Sequence, residues 1–478
     1  MAQLYSLPSE IANNLLDFVS RSDLVALSYV SQALRRSAEP FLYANIAFDW
    51  DYRQVPPVVP LLRTLLQRPE LFAYIDSVTM VGNQFAINTR PKPLDPSKMP
   101  LDLFLTAIEK TKVPYTSLWV DQLKSASGSM DALIGLFIAN LCKIRFLAIT
   151  HNFIHRSEIA SRVLQSKILG QIPDYSAVFG QLPRFEQLNR LIYYKERSAS
   201  DLDVFPDVMS LFYLPTASDL VVNIPNPKLP FEWPAGEPDL SHLTSLEVDW
   251  VYPDCLAQIL EHTSNLKTLY WNWQYDEYGT ERSGSRLDYD HITTALLPLR
   301  RTLEKFHFRL EETSLEYIDE GIVTAGSWDG LRDFERLVYL DVPLISLTGV
   351  DMIPEPMERH VPPSVEALCL TPAMLVHEEA VLWVLYPADA SSEELEQLII
   401  ADWHPEKDVI KPIKALAERC PQQLPRLRRI EFLGEPGTWN ARMDPLMSEA
   451  DLVHGVELRV IHEEYWYKRH LPDYVFDI

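Results

Sequence analysis

Apolar residues occupy the first, fourth and sixth positions of a short segment that recurs along most of the chain. It first appears as Ile75, Val78 and Met80, then as Ile144/Leu147/Ile149, with weaker copies at Leu188/Leu191/Tyr193 and Ala217/Leu220/Val222. Clear copies follow at Leu243/Leu246/Val248, Leu266/Leu269/Trp271, Leu303/Phe306/Phe308, Leu337/Leu340/Val342 and Val365/Leu368/Leu370. The last are Leu395/Leu398/Ile400, Leu427/Ile430/Phe432 and Val453/Val456/Leu458. The fourth and sixth positions alternate with polar ones, which predicts a short strand that buries one face. From Ala217 onward the copies lie about 23 to 37 residues apart, a spacing that signals a repeat array. Residues 253–261, 291–299 and 409–419 are predicted helices between strands. A strand-plus-helix unit cannot bury its apolar side alone, so neighbours must stack and share a core.

Residues flanking the inward pair should project to the open face of such an array. They are Glu247, Asp249, Tyr270, Asn272, His307, Arg309, Tyr339, Asp341, Cys369, Arg429 and Glu431. The first eight of these are the candidate target-binding residues. The aromatic run from Tyr270 to Tyr278 is the densest patch, because Tyr and Trp are frequent interface anchors. Trp271 occupies an inward position and is expected in the core.

The start of the chain follows a different period. Ile11, Leu15, Phe18 and Val19 form one apolar stripe on a helix, with Pro8 suited to its first turn. Ser22 is the expected N-cap of a second helix bearing Leu24 and Leu27, and Ser31 that of a third bearing Leu34 and Ala38. Three short helices with so few large apolar residues need a partner surface or a neighbouring domain.

This segment resembles an F-box, on the strength of Leu7-Pro8-x-Glu10-Ile11, Asp23-Leu24, Val30-Ser31 and Pro40-Phe41-Leu42-Tyr43. The resemblance implies docking on a Skp-type adaptor, and through it on a cullin and a RING protein, by way of Leu7, Pro8, Ile11, Leu24, Val30 and Leu34. Many F-boxes carry Trp where this chain has Leu34, so one aromatic anchor is absent. The remainder resembles an irregular leucine-rich-repeat-like solenoid, although the consensus asparagine is mostly missing and repeat lengths vary. An F-box followed by Leu-Leu-x-Arg-Pro-Glu-Leu and irregular repeats is similar to a broad class of fungal F-box proteins. The expected organisation is an α/β chain with a three-helix F-box over 1–48 and a target-recognition solenoid over 49–478.

Composition narrows the function classes. A formal charge of -24 repels phosphate backbones and anionic lipid, which argues against nucleic-acid and membrane partners. The cysteines Cys142, Cys255, Cys369 and Cys420 lie far apart, which suits neither a disulfide framework nor a zinc ribbon. The longest apolar run, 132–141, is too short to span a bilayer. An intracellular, soluble protein of the cytoplasm or nucleus is expected.

No nucleotide-binding, nucleophile-elbow or metalloprotease motif occurs. Asp49-Trp-Asp51, Asp201-Leu-Asp203 and Asp288-Tyr-Asp290 have cation-binding spacing, and His151 and His155 stand four apart, but 67 acidic residues produce such spacings by chance. Arg426-Leu-Arg428-Arg429 reads as a solvated strand flank, and no cofactor is expected. The leading reading is a non-catalytic target-recognition subunit of an SCF-type ubiquitin ligase. A scaffold that binds the adaptor without assembling a ligase is the alternative, and an enzyme assembled across the repeats is a third.

Overall fold

The computed structural model describes residues 9–51, 55–82, 94, 98–125, 129–154, 157–194, 206–224, 232–249, 251–274, 286–311, 323–348, 357–371, 411–434, 452–453 and 455–462. The chain divides into two units, Met1–Val222 with Trp233–Pro238 and Leu471–Ile478, and Asn223–Glu232 with Asp239–His470.

The first unit begins with helices α1 (Ser9–Asp17), α2 (Arg21–Val30) and α3 (Gln32–Ala44), and α3 runs without a loop into strand β1 (Asn45–Trp50). Next come α4 (Val58–Gln67), a 3-10 turn at Pro69–Tyr74, β2 (Ser77–Gly82), α5 (Leu101–Thr111), α6 (Thr116–Lys124) and α7 (Met130–Ala139). The series ends with β3 (Phe146–Thr150), α8 (Ile159–Ile168), α9 (Pro173–Phe179), β4 (Arg190–Tyr194), α10 (Pro206–Ser210) and β5 (Asp219–Asn223). Strands β1 to β5 pair in parallel and in chain order. The alternation that places β1, Ile46 and Phe48 beside Val78 and Met80, lies where the sequence pattern put the end of the helical module. Its first position, Tyr43, lies in the last turn of α3, so the signature is split between helix and strand.

The second unit contains β6 (Ser245–Asp249), α11 (Pro253–Leu260), β7 (Thr268–Gln274), β8 (Arg286–Asp288), α12 (Tyr289–Leu296), β9 (Lys305–Glu311) and β10 (Val323–Ala325). It continues with β11 (Tyr339–Pro343), α13 (Ile345–Thr348), β12 (Ala367–Thr371), α14 (Lys411–Gln423), β13 (Arg429–Gly434), β14 (Leu452–Val453) and β15 (Val456–His462). Strands β6, β7, β9, β11, β12, β13 and β15 follow one another in parallel, while β8 and β10 pair separately.

The register puts like positions side by side. Fourth-position residues Val78, Leu147, Leu191 and Leu220 align in the first unit. Leu246, Leu269, Phe306, Leu340, Leu368, Ile430 and Leu458 align in the second, and all are buried. Stacking identical positions forms one continuous apolar seam, which is why the repeat pattern survives despite irregular spacing. One copy is corrected. Leu458, not Val456, is the fourth position of the last strand because it pairs with Ile430, and Val453 belongs to the antiparallel β14. The copy at Leu395 lies outside the described residues.

Register is also locked at the start of each strand. The carbonyl of the residue before one strand accepts two successive N–H groups from the next. Thr244 takes Lys267 and Thr268, Lys267 takes Glu304 and Lys305, and Glu304 takes Val338 and Tyr339. These bonds satisfy backbone groups that a one-residue slip would orphan, on top of turning the apolar pair outward.

The most apolar run forms α7, buried along nearly its whole length. Among the described residues no helix is long and apolar enough to cross a membrane. Asp131 on this helix accepts the backbone N–H groups of Glu158, Ile159 and Ala160 at 2.9, 2.7 and 2.9 Å and the Ser157 hydroxyl at 2.9 Å. It thereby caps α8 from the preceding helix, satisfying donors that have no intrahelical acceptor. Asp131→Ala is expected to cost about 2 kcal/mol and Asp131→Asn less, read as a lower urea midpoint with α8 amides exchanging faster.

Candidate functional site

Side chains flanking the inward pair form a polar row across the second unit. In register it runs Glu247, Tyr270, His307, Asp341, Cys369, Glu431 and Arg459. Strand alternation sends all of them to one face, and pairing sets each beside the next at about 4.8 Å. Tyr270 stacks on His307 with ring centroids 3.8 Å apart, and Tyr339 lies 4.9 Å from the same imidazole. His307 Nδ1 donates to Asp341 Oδ2 at 3.0 Å, and Arg309 Nη2 donates to the same oxygen at 3.2 Å. One strand pair away, Asn272 Nδ2 donates to Asp249 Oδ1 at 2.7 Å.

The face is less open than its sequence pattern implies. Glu247, Asp249, Asn272, His307, Asp341, Cys369 and Glu431 are all buried, whereas Tyr270, Arg309, Tyr339 and Arg429 are partly accessible. Stacked rings and paired charges on adjacent strands cover one another, so outward direction does not deliver exposure. Trp271 is in the core and donates its ring N–H to the Val251 carbonyl at 2.9 Å, as its inward position predicts. The continuation of its aromatic run, 275–278, lies outside the described residues.

The helical module has the opposite character. Leu16, Leu24 and Ala38 form its small core, with Val19, Leu27, Phe41 and Leu42 packed around them. Ile11 at 48%, Leu15 at 49%, Phe18 at 90%, Val25 at 41%, Tyr29 at 85% and Val30 at 52% are exposed. Of the residues the F-box resemblance assigned to the adaptor, Ile11 and Val30 are therefore accessible, and Leu24, in that core, and Leu34 are buried. Leu7 and Pro8 lie outside the described residues. Ser31 caps α3 as expected, but Ser20, not Ser22, caps α2 by accepting the Asp23 N–H at 3.2 Å. Glu39 fastens α3 to the end of α4, accepting Arg68 Nη1 and Nη2 at 2.6 and 2.9 Å and Arg35 Nε at 2.9 Å. The Arg68 hydrogen bonds, ahead of Arg35, outweigh burial and hold the Glu39 carboxyl below its ordinary range.

The His307, Asp341 and Cys369 side chains are not arranged as a nucleophile and its base. Cys369, Asp341 and His307 are neighbours, yet the carboxylate stands between thiol and imidazole, on the strand that separates them. Burial, and then the Asp341 charge, push the Cys369 thiol well up, which disfavours the thiolate a nucleophile needs. The Asp288-Tyr-Asp290 carboxylates serve the backbone: Asp288 accepts the N–H groups of Asp290 and His291, and Asp290 accepts that of Ser327. Asp201, Asp203 and His155 lie outside the described residues. Arg459 was absent from the sequence-derived face. Its parity already sends it outward, but only the reframed register sets it directly beside Glu431.

Residues 4–39 match the F-box domain family. F-box domains bind Skp-type adaptors within cullin–RING ligases, and proteins that carry them are typically non-catalytic substrate adaptors. No curated protein matches the chain.

Asp341 makes the polar row sensitive to acid. Burial alone pushes its carboxyl up, but the His307 hydrogen bond and the Arg309 charge prevail and hold it below 3.8. A carboxylate depressed on folding contributes stability that is fully present above its unfolded value, about pH 4, and lost as pH falls through its folded value. Asp341→Asn should cost roughly 3 kcal/mol at neutral pH and flatten the acid limb of a urea-unfolding series, with the deficit shrinking as wild type itself protonates.

Proposed function

We propose that this chain is the target-recognition subunit of an SCF-type ubiquitin ligase. The F-box helices dock a Skp-type adaptor, and the strand faces hold a protein target near the charged conjugating enzyme, so that rate enhancement comes from proximity. The observation that carries this reading is the apolar surface of a module matching the F-box family. Phe18 and Tyr29 are almost fully exposed on a bundle of three short helices. Apolar groups concentrated like this favour burial against a partner. Ile11 and Val30, with Leu7 and Pro8, are the proposed direct contacts, while Leu24 and Leu34 hold the helices that present them. Phe18 and Tyr29 offer the aromatic area that Leu34 does not.

The recognition part is read as an irregular leucine-rich-repeat-like array in each unit. Support comes from parallel strands in chain order, intervening helices and like-on-like register. Tyr270, Arg309 and Tyr339 are the proposed target contacts, positioned by Glu247, Asp249, Asn272, His307 and Asp341 beneath or beside them. Such a receptor would act in the cytoplasm or nucleus.

Because Phe18 and Val30 are exposed, Phe18→Glu with Val30→Glu should leave the thermal unfolding midpoint nearly unchanged. Each buried anchor contributes about 1.4 kcal/mol or more, so adaptor affinity should fall at least a hundredfold in co-purification and calorimetry. Undiminished adaptor binding by this double variant would sink the docking assignment. Cullin in the wild-type pull-down supports the ligase, and adaptor without cullin supports the scaffold.

A further inference from the structure

Two arginines and a tyrosine converge on one buried carboxylate in the second unit. Glu431 on β13 has a side chain only 4% exposed. Arg429, two residues earlier on the same strand, brings Nε to 3.4 Å from Oε1. Arg459, directly opposite on β15, donates to the same oxygen through Nε at 3.2 Å and through Nη2. The Tyr339 hydroxyl donates to Oε2 at 3.2 Å from β11, reaching across β12. It can do so because β12 presents Ala367 and Cys369 there, both small and buried. Burial first, and then the nearby Cys369, Asp341 and Glu431, hold the Tyr339 hydroxyl in its protonated, donating form.

The geometry stacks charge in layers. One carboxylate lies beneath, and two guanidinium side chains lie above it, each 42% exposed. A guanidinium carries five N–H donors in a rigid fork, and Glu431 engages one nitrogen of Arg429 and two of Arg459. A second carboxylate, Glu457, also acts on Arg459, but it is exposed and screened by solvent. Glu431 thus holds two cations side by side in a region of a chain whose formal charge is -24. Paired, preorganised guanidiniums match the bidentate geometry of a carboxylate or phosphate. Lys305, exposed and opposite Tyr339 in register, adds positive charge. Glu457, exposed and opposite Arg429, opposes it.

We propose that Arg429 and Arg459, set by Glu431 and Tyr339, form an oxyanion-binding subsite that takes a phosphate monoester or carboxylate of the protein target. That the oxyanion belongs to a target rests on the receptor reading above, whereas oxyanion binding does not depend on the F-box.

The test titrates the full chain with inorganic phosphate, O-phosphoserine and N-acetylglutamate at fixed ionic strength, followed by calorimetry. Saturable binding is expected. It should weaken at least tenfold in Arg429→Gln and Arg459→Gln, and several-fold in Arg459→Lys, which keeps the charge and loses the fork. Glu457→Gln should tighten it, a gain that unfolding cannot imitate, and Lys124→Gln in the first unit should leave it unchanged. Tighter phosphoserine than glutamate binding assigns a phosphorylated target, and the reverse an acidic one. Absence of saturable binding, equal binding by folded arginine variants, or no gain in Glu457→Gln overturns the subsite. The Phe18→Glu/Val30→Glu variant should bind phosphate normally, so loss of adaptor binding and loss of the subsite are read separately.

Discussion

Everything in both units hangs on parallel strands pairing in the order in which the chain makes them. A parallel neighbour needs a crossover long enough to return to the same end, and the segments between strands supply it, with helices in many of them. The crossover then covers the apolar side of the strands that it joins. Pairing, crossover and burial are therefore one constraint. The inward fourth-position residues fall beside one another because a one-residue slip would expose them and any slip would orphan the bonds at the strand starts.

That constraint has a consequence on the opposite face. Once the inward side chains are aligned, their outward neighbours are aligned too, whether or not they are polar. Charged residues on successive strands must then be compatible at close range. Glu431 faces Arg459, and Asp341 faces His307 with Arg309 nearby. A buried carboxylate without such partners would be strongly destabilising. Mutual coverage buries these groups and leaves the longer side chains, Arg309, Arg429, Arg459 and the tyrosines, as the accessible layer.

The helical module obeys a different economy of scale. About forty residues cannot close a large core, and here Leu16, Leu24 and Ala38 form most of it. Ile11, Leu15, Phe18, Val25, Tyr29 and Val30 remain outward, while Glu39 and Arg68 fix α3 against the end of α4. Continuity of α3 with β1 adds a covalent restraint. The result is an apolar surface tied at α3 to the elements that follow, a form suited to a docking partner.

Sequence alone determined the period: which residues of each strand point inward, that the units repeat, and that the first forty residues form separate helices resembling an F-box. These follow from local alternation, capping and spacing, which need only nearby residues. It did not reveal β1, whose inward residues Ile46, Phe48 and Trp50 count as a strand only beside Val78, Met80 and Gly82. It framed the last strand two residues early, because Val453 supplies the apolar first position that Gly455 lacks in the frame that pairs Leu458 with Ile430. Only the tertiary structure decided which outward residues are accessible. Direction is a property of one strand, whereas exposure and the meeting of Arg429, Arg459 and Tyr339 on Glu431 depend on partners up to 92 residues apart in the chain.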